Sequence, residues 1–169
     1  SRIEPNSGLE YRIQGADMPF VDVVLPPGAV FIAEPGAMMD MEEGVVVQTV
    51  LGDGSTGRPF LARLWNALKR PFLGESLFSV TYANGTNEPR RVSFAAPYPG
   101  TIMAVDLDEI GGSVICQRGA YICGQQGPKI DVALQKRLRV GLFGGEGFVM
   151  QKIEGSGVVF VHAGGAMVR

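Results

Sequence analysis

The sequence predicts an all-β fold: a β-sandwich or double-stranded β-helix of repeated glycine-rich strand modules, with one or two short helices in the connections. Three observations lead there. Short apolar runs with a period of two follow one another along most of the chain. Glycine accounts for 24 of 169 residues and is spread through the sequence, where it supplies turns and bulges. Similar segments also recur, as expected of a unit that must stack on its own copies to cover its apolar faces.

Residues 9–13 and 20–25 read as strands. In the second, Val21, Val23 and Leu25 share one face while Phe20, Asp22 and Val24 share the other. Pro26-Pro27-Gly28 stops it, because proline lacks a ladder donor and glycine accepts turn dihedrals. Residues 29–33 form the next strand, up to Pro35-Gly36. Residues 45–51 are apolar on both faces, which predicts a central strand.

After the polar segment 52–57, Leu61, Leu64, Trp65 and Leu68 repeat at helical spacing. Lys69 and Arg70 suit the last turn of that helix, and Pro71 ends it. Residues 77–82 alternate, Asn84-Gly85 follows, and residues 91–95 carry Val92 and Phe94 inward. This reads as a β-hairpin. Further strands are predicted at 101–107, 113–116 and 121–123. Ile130, Leu134 and Leu138 then fall at i+4 steps and predict a second short helix. The tail, from Gly144-Gly145-Glu146 to residue 163, reads as two apolar strands separated by glycines.

Laid side by side, residues 28–38 match residues 112–122, and 158–167 form a further partial copy. The helix followed by Phe72-Leu73-Gly74-Glu75-Ser76 matches the second helix followed by Phe143-Gly144-Gly145-Glu146-Gly147. The expected organisation is one β domain over residues 1–169, with repeats at about 15–83 and 90–157 and a partial third from 158. Ser1 in place of methionine and an ending within a repeat are expected of a chain lacking its true start and a C-terminal repeat.

Glu34-Pro35-Gly36-Ala37-Met38, Gly74-Glu75-Ser76-Leu77-Phe78, Gly144-Gly145-Glu146-Gly147-Phe148, Ile153-Glu154-Gly155-Ser156-Gly157 and Gly164-Gly165-Ala166 carry a family resemblance, together with Leu25 to Gly28 and Gly15 to Phe20. Over essentially its whole length the chain resembles a bacterial family similar to the yeast mitochondrial-inheritance protein called altered inheritance of mitochondria 24. The resemblance implies a fold like that of the tryptophan RNA-binding attenuation protein and a homo-oligomeric assembly. It also implies a link, through the eukaryotic relatives, to mitochondrial inner-membrane organisation. It brings no catalytic residues, and a shared fold does not carry over the attenuator's tryptophan or RNA sites.

Composition bounds the chemistry. A formal net charge of -2 argues against a dedicated nucleic-acid binder, which draws affinity from a large basic footprint. Charged residues make up 19%, below the ~25–35% usual for a surface, as expected if copies of the chain cover part of one another. Two cysteines, Cys116 and Cys123, point to a reducing compartment. No apolar run reaches the ~18 residues of a membrane helix, so no transmembrane segment is expected. The amino end does not read as a secretory signal.

His162 is the single histidine, which cannot supply a cupin-type metal centre of several imidazoles. Nothing beside the two cysteines lowers a thiol pKa. Glu75 and Glu146 hold matching places in the two repeats and are candidates either for ligand contact or for fixing a turn. Gly144-Gly145-Glu146-Gly147 lacks the Lys-Ser/Thr of a phosphate loop. Arg63, Trp65, Lys69 and Arg70, with Lys136, Arg137 and Arg139, are candidates for a docking surface toward a protein or a membrane.

The expectation is therefore a protein that is not an enzyme, has no cofactor or metal, and acts as a homo-oligomeric scaffold or interaction module. Its expected location is cytoplasmic, peripheral to the inner membrane. The alternative is a cupin-like protein with a small-ligand pocket between its sheets. A weaker alternative is nucleic-acid binding by a basic rim of the oligomer.

Overall fold

The structure is a computed structural model, and it describes residues 2–3, 8–51, 78–117, 119–131 and 150–164. These residues form an all-β fold in three antiparallel sheets. The first sheet contains β1 (Arg2–Ile3), β2 (Glu10–Gln14), β3 (Phe20–Leu25), β5 (Met38–Met41) and β8 (Arg90–Ala95), in the order β1-β2-β3-β8-β5. The middle sheet runs β6-β7-β4-β11-β14-β9. Its strands are β4 (Val30–Ala33), β6 (Val45–Leu51), β7 (Phe78–Asn84), β9 (Thr101–Asp106), β11 (Tyr121–Gln125) and β14 (Val158–Ala163). The third sheet is β10 (Ser113–Gln117), β13 (Met150–Glu154) and β12 (Lys129–Asp131), in the order β10-β13-β12.

The middle sheet is covered on both sides, and β14 shows why its residues are so apolar. Val158 and Phe160 lie in the core shared with the first sheet, beside Val21, Val23, Val92 and Phe94. Val159 and Val161 lie in a second core with Ile153, Val114 and Cys116 of the third sheet. Strand alternation delivers these pairs to opposite faces, so a strand buried on both sides must be apolar at every position. The larger core is tied by aromatic contacts between sheets. Tyr11 meets Phe160 edge-on at 5.0 Å, and Phe31 stacks on Phe94 at 6.2 Å.

The same four antiparallel pairings occur twice along the chain. In the first set β3 and β5 flank β8, while β4 and β6 flank β7. In the second, β9 and β11 flank β14, while β10 and β12 flank β13. Details outside the pairing list recur too. A bulge falls between Met38 and Asp40 in β5, and another between Tyr121 and Cys123 in β11. Gly36 and Gly119 both have positive φ, of 85° and 82°, in turns closed by Ala37 N–H to Glu34 O and Ala120 N–H to Gln117 O. Ala95 N–H donates to Ala37 O, and His162 N–H donates to Ala120 O.

The two sets meet where β4 pairs with β11, Ile32 lying opposite Gly124 and Ala33 opposite Cys123. Glu34 N–H donates to Ile122 O at 3.0 Å and Gln126 N–H to Val30 O at 3.0 Å, one on either side of that pairing. This joint makes one six-stranded sheet from half of each set.

Several sequence expectations change. Asn84-Gly85 does not close a hairpin: β7 belongs to the middle sheet and β8 to the first, so the chain crosses between layers here. The Asn84 side chain holds that crossing, donating to Leu25 O at 2.8 Å and Glu88 O at 2.7 Å while accepting from Thr86 N–H. β6 stands at the end of its sheet rather than at the centre, with Val46 and Val47 exposed. Ile130 lies in β12, opposite Ile153, and not in a helix. Leu134 and Leu138, like the predicted helix at 61–70, lie outside the described residues. Val158–Ala163 pairs as β8 does, and so corresponds in position to Arg90–Ala95 rather than to residues 28–38.

Candidate functional site

The residues that sequence reasoning nominated, Glu75, Glu146, Arg63, Trp65, Lys69, Arg70, Lys136, Arg137 and Arg139, all lie outside the described residues. The described ones bring together three other features: two thiols and a histidine, a polar row on the first sheet, and two exposed sheet edges.

The thiols are packing groups. Cys123 is buried in the larger core, and burial pushes its pKa well above the ordinary thiol value. Cys116 is half-buried and its pKa is also raised by burial. A thiol held protonated is a poor nucleophile at neutral pH. Tyr121 is buried beside them, donates its hydroxyl to Ile32 O at 2.7 Å, and has its pKa raised mainly by burial. His162 packs its Nε2 against Gly100, at a spot where a β-carbon on residue 100 would collide with the ring. No group of three His, Cys, Asp or Glu side chains among the described residues is placed to hold a metal ion.

The polar row crosses the outer face of the first sheet. Register sets Arg12 opposite Asp22, Asp22 opposite Ser93, and Asp40 opposite Ser93. Asp22 accepts from Ser93 Oγ at 2.5 Å through one oxygen and from Gln14 Nε2 at 2.5 Å through the other. Arg91 donates to Ser93 Oγ at 2.7 Å and to Asp40 at 2.8 Å, and lies 3.4 Å from Asp22. Its pKa is raised, first by the Asp40 hydrogen bond. Every member is committed to a neighbour, so the row reads as a structural ladder.

Two clefts are present. One of about 270 Å³ is lined by Leu9, Pro26, Ala29, Val30, Phe31 and Gln125, among others. The Gln125 side-chain oxygen there is already occupied by Val158 N–H. The other, of about 420 Å³, lies by Glu42, Glu43, Gly44, Thr86 and Arg90. Neither gathers several convergent polar groups of the kind that fix a small ligand.

The exposed edges are more informative. β4 and β10 hold matching places in the two sets, as do β5 and β11. At the joint, Ile32 is 5% exposed and Ile122 is 1% exposed. At the matching positions Ile115 is 59% exposed and Met39 is 51% exposed. β10 and β5 each stand at the end of their sheets, whereas β4 and β11 are paired on both sides. Sequence could not reveal this, because Ile32 and Ile115 sit in equally apolar strands. Only the topology distinguishes the paired strand from the open one.

Among the described residues no helix is long and apolar enough to cross a membrane. None of the curated proteins matches the chain. Among solved structures the chain is similar in fold to the protein SPYM3_0169 from Streptococcus pyogenes, with a TM-score of 0.64 at 20% identity. That match covers 93% of this chain and 65% of the other, so the chain spans about two thirds of that protein's length. A family model described as Mitochondrial biogenesis AIM24 matches residues 11–169. With nearly its entire length inside that match, the chain belongs to the mitochondrial biogenesis AIM24 family.

Proposed function

We propose that the protein is a non-enzymatic, homo-oligomeric scaffold built by repeating one six-strand module. The observation that carries this reading is the β4–β11 joint, where two sets of strands with the same pairings merge into one continuous sheet. A module that buries its edges by joining to another of its kind is suited to assembly. The side chains with acid–base or nucleophilic chemistry support the same reading: the thiols are held protonated by burial, and the Asp22–Ser93–Arg91 row is spent on internal hydrogen bonds. The docking surface expected around Arg63, Trp65, Lys69 and Arg70 would then be presented in several copies, toward a protein or a membrane face.

Static light scattering of the purified chain tests this. The expected result is a mass that is a multiple of 18.0 kDa and depends on concentration. A constant single-chain mass up to the highest soluble concentration would overturn the proposal.

A further inference from the structure

We infer that copies of this chain assemble head to tail, the free edge of β10 in one copy pairing with the free edge of β5 in the next and reproducing the internal β4–β11 joint. This rests on the scaffold reading and names the surfaces it would use.

The argument is one of equivalence. In the middle sheet, β6-β7-β4 from the first set is continued by β11-β14-β9 from the second. The third sheet, β12-β13-β10, has the pairings of β6-β7-β4 and ends at β10 without a continuation. Within the first sheet, β5-β8-β3 has the pairings of β11-β14-β9 and ends at β5 with nothing before it. Each chain therefore carries one unfilled example of each half of the joint. An isolated edge presents a row of unpaired N–H and C=O groups that template strand addition.

The register follows from the joint. Ile32 opposite Gly124 becomes Ile115 opposite Met41, and Ala33 opposite Cys123 becomes Cys116 opposite Asp40. The flanking bonds Glu34 N–H to Ile122 O and Gln126 N–H to Val30 O become Gln117 N–H to Met39 O and Glu43 N–H to Ser113 O. Ile115 and Met41 are both exposed apolar side chains, and this register sets them against each other. The outer face of the first sheet tunes the strength of the contact. Asp22, Ser93 and Asp40 stand where Ala104, Phe160 and Cys123 stand in the second set. A polar face there gains less from burial than the internal joint does, so the contact between copies is weaker than the one within a chain and reversible on dilution.

The test uses Ile115→Pro and Met41→Pro, each placing a residue without an N–H on one free edge. Ile115→Lys, which keeps the backbone donor, guards against a proline variant that does not fold. Far-UV circular dichroism checks folding, and light scattering reads the mass. Each variant alone is expected to remain a single chain at concentrations where the wild type assembles. An equimolar mixture of Ile115→Pro and Met41→Pro is expected to form a two-chain particle, because each supplies the edge the other lacks. Folded variants that assemble like the wild type would overturn the edge assignment and leave the scaffold reading standing. So would a mixture that stays single. A wild-type chain that is single at every concentration, with slowly exchanging amides at Ile115 and Met41, would mean that a strand of the same chain fills both edges. That result would overturn both readings.

Discussion

The side-chain oxygen of Gln125 accepts the backbone N–H of Val158 at 2.8 Å, bridging the end of β11 to the start of β14. The Glu42 carboxylate accepts the backbone N–H of Arg91 at the same distance, bridging the end of β5 to β8. The two residues hold matching places in the two sets, so the chemistry of this bridge recurs although the side chain differs. Val158 is fully buried and Arg91 is not. Gln125→Leu should therefore strand a buried donor and cost about 1–3 kcal/mol, whereas Glu42→Leu leaves a donor that water can reach and should cost less than about 1 kcal/mol. Urea unfolding of the two variants checks the difference.

Phe160 occupies the centre of the larger core, against Tyr11 and among residues of the first two sheets. Phe160→Ala should destabilise by about 3–5 kcal/mol, through lost transfer energy and the cavity left behind. Thermal unfolding is the measurement. A loss below about 1 kcal/mol would mean that the two sheets are not packed as described.

Glycines of two kinds should respond differently. A β-carbon on Gly124 would lie 2.8 Å from Val159 Cγ1 and 3.2 Å from Val158 O, so Gly124→Ala should cost about 1–3 kcal/mol through overpacking. Gly36 has open space around it but a φ of +85°, so Gly36→Ala should cost roughly 1–2 kcal/mol through backbone strain alone. Raising the volume further, to Val, should worsen the first much more than the second when both are followed by chemical denaturation.

Stability should fall at alkaline pH. Cys123 and Tyr121 have pKa values raised by burial in the folded state, so both hold their protons more tightly there than in the unfolded chain. Their contribution is complete below the ordinary thiol pKa of about 8.5 and is lost as pH rises through the range between unfolded and folded values. Denaturation midpoints should therefore be flat near neutrality and decline above about pH 8.5. In the same conditions a thiol reagent should modify Cys123 only on unfolding, with half-buried Cys116 reacting first.

Much of the strand pattern was legible in the sequence because alternation is a local signal. Val21, Val23 and Leu25 are all fully buried, and residues 20–25 form a strand with the predicted bounds. The choice of partner was not legible, because it depends on layers that form far apart in sequence. Asn84-Gly85 has the composition of a hairpin turn, yet its asparagine is used to clamp a crossing through Leu25 O. Residues 45–51 are apolar throughout, which sequence reads as central burial, but β6 is an edge. Met38–Met41 was missed because a bulge breaks its alternation and Asp40 faces the polar row. Ile130 looked helical only by its spacing to Leu134 and Leu138. Of the candidate surfaces, the open β5 and β10 edges had no sequence signal of their own, since an unpaired edge and a paired one are written in the same residues.

Amide hydrogen exchange at four positions tests the account most directly: Ile32 and Gly124 at the internal joint, Ile115 and Met41 at the free edges. In a dilute sample Ile32 and Gly124 should exchange slowly while Ile115 and Met41 exchange fast, and raising the concentration should slow the second pair without changing the first. Fast exchange at Ile115 and Met41 at every concentration, in a sample that nonetheless assembles, would contradict the claim that one kind of joint works both within and between chains.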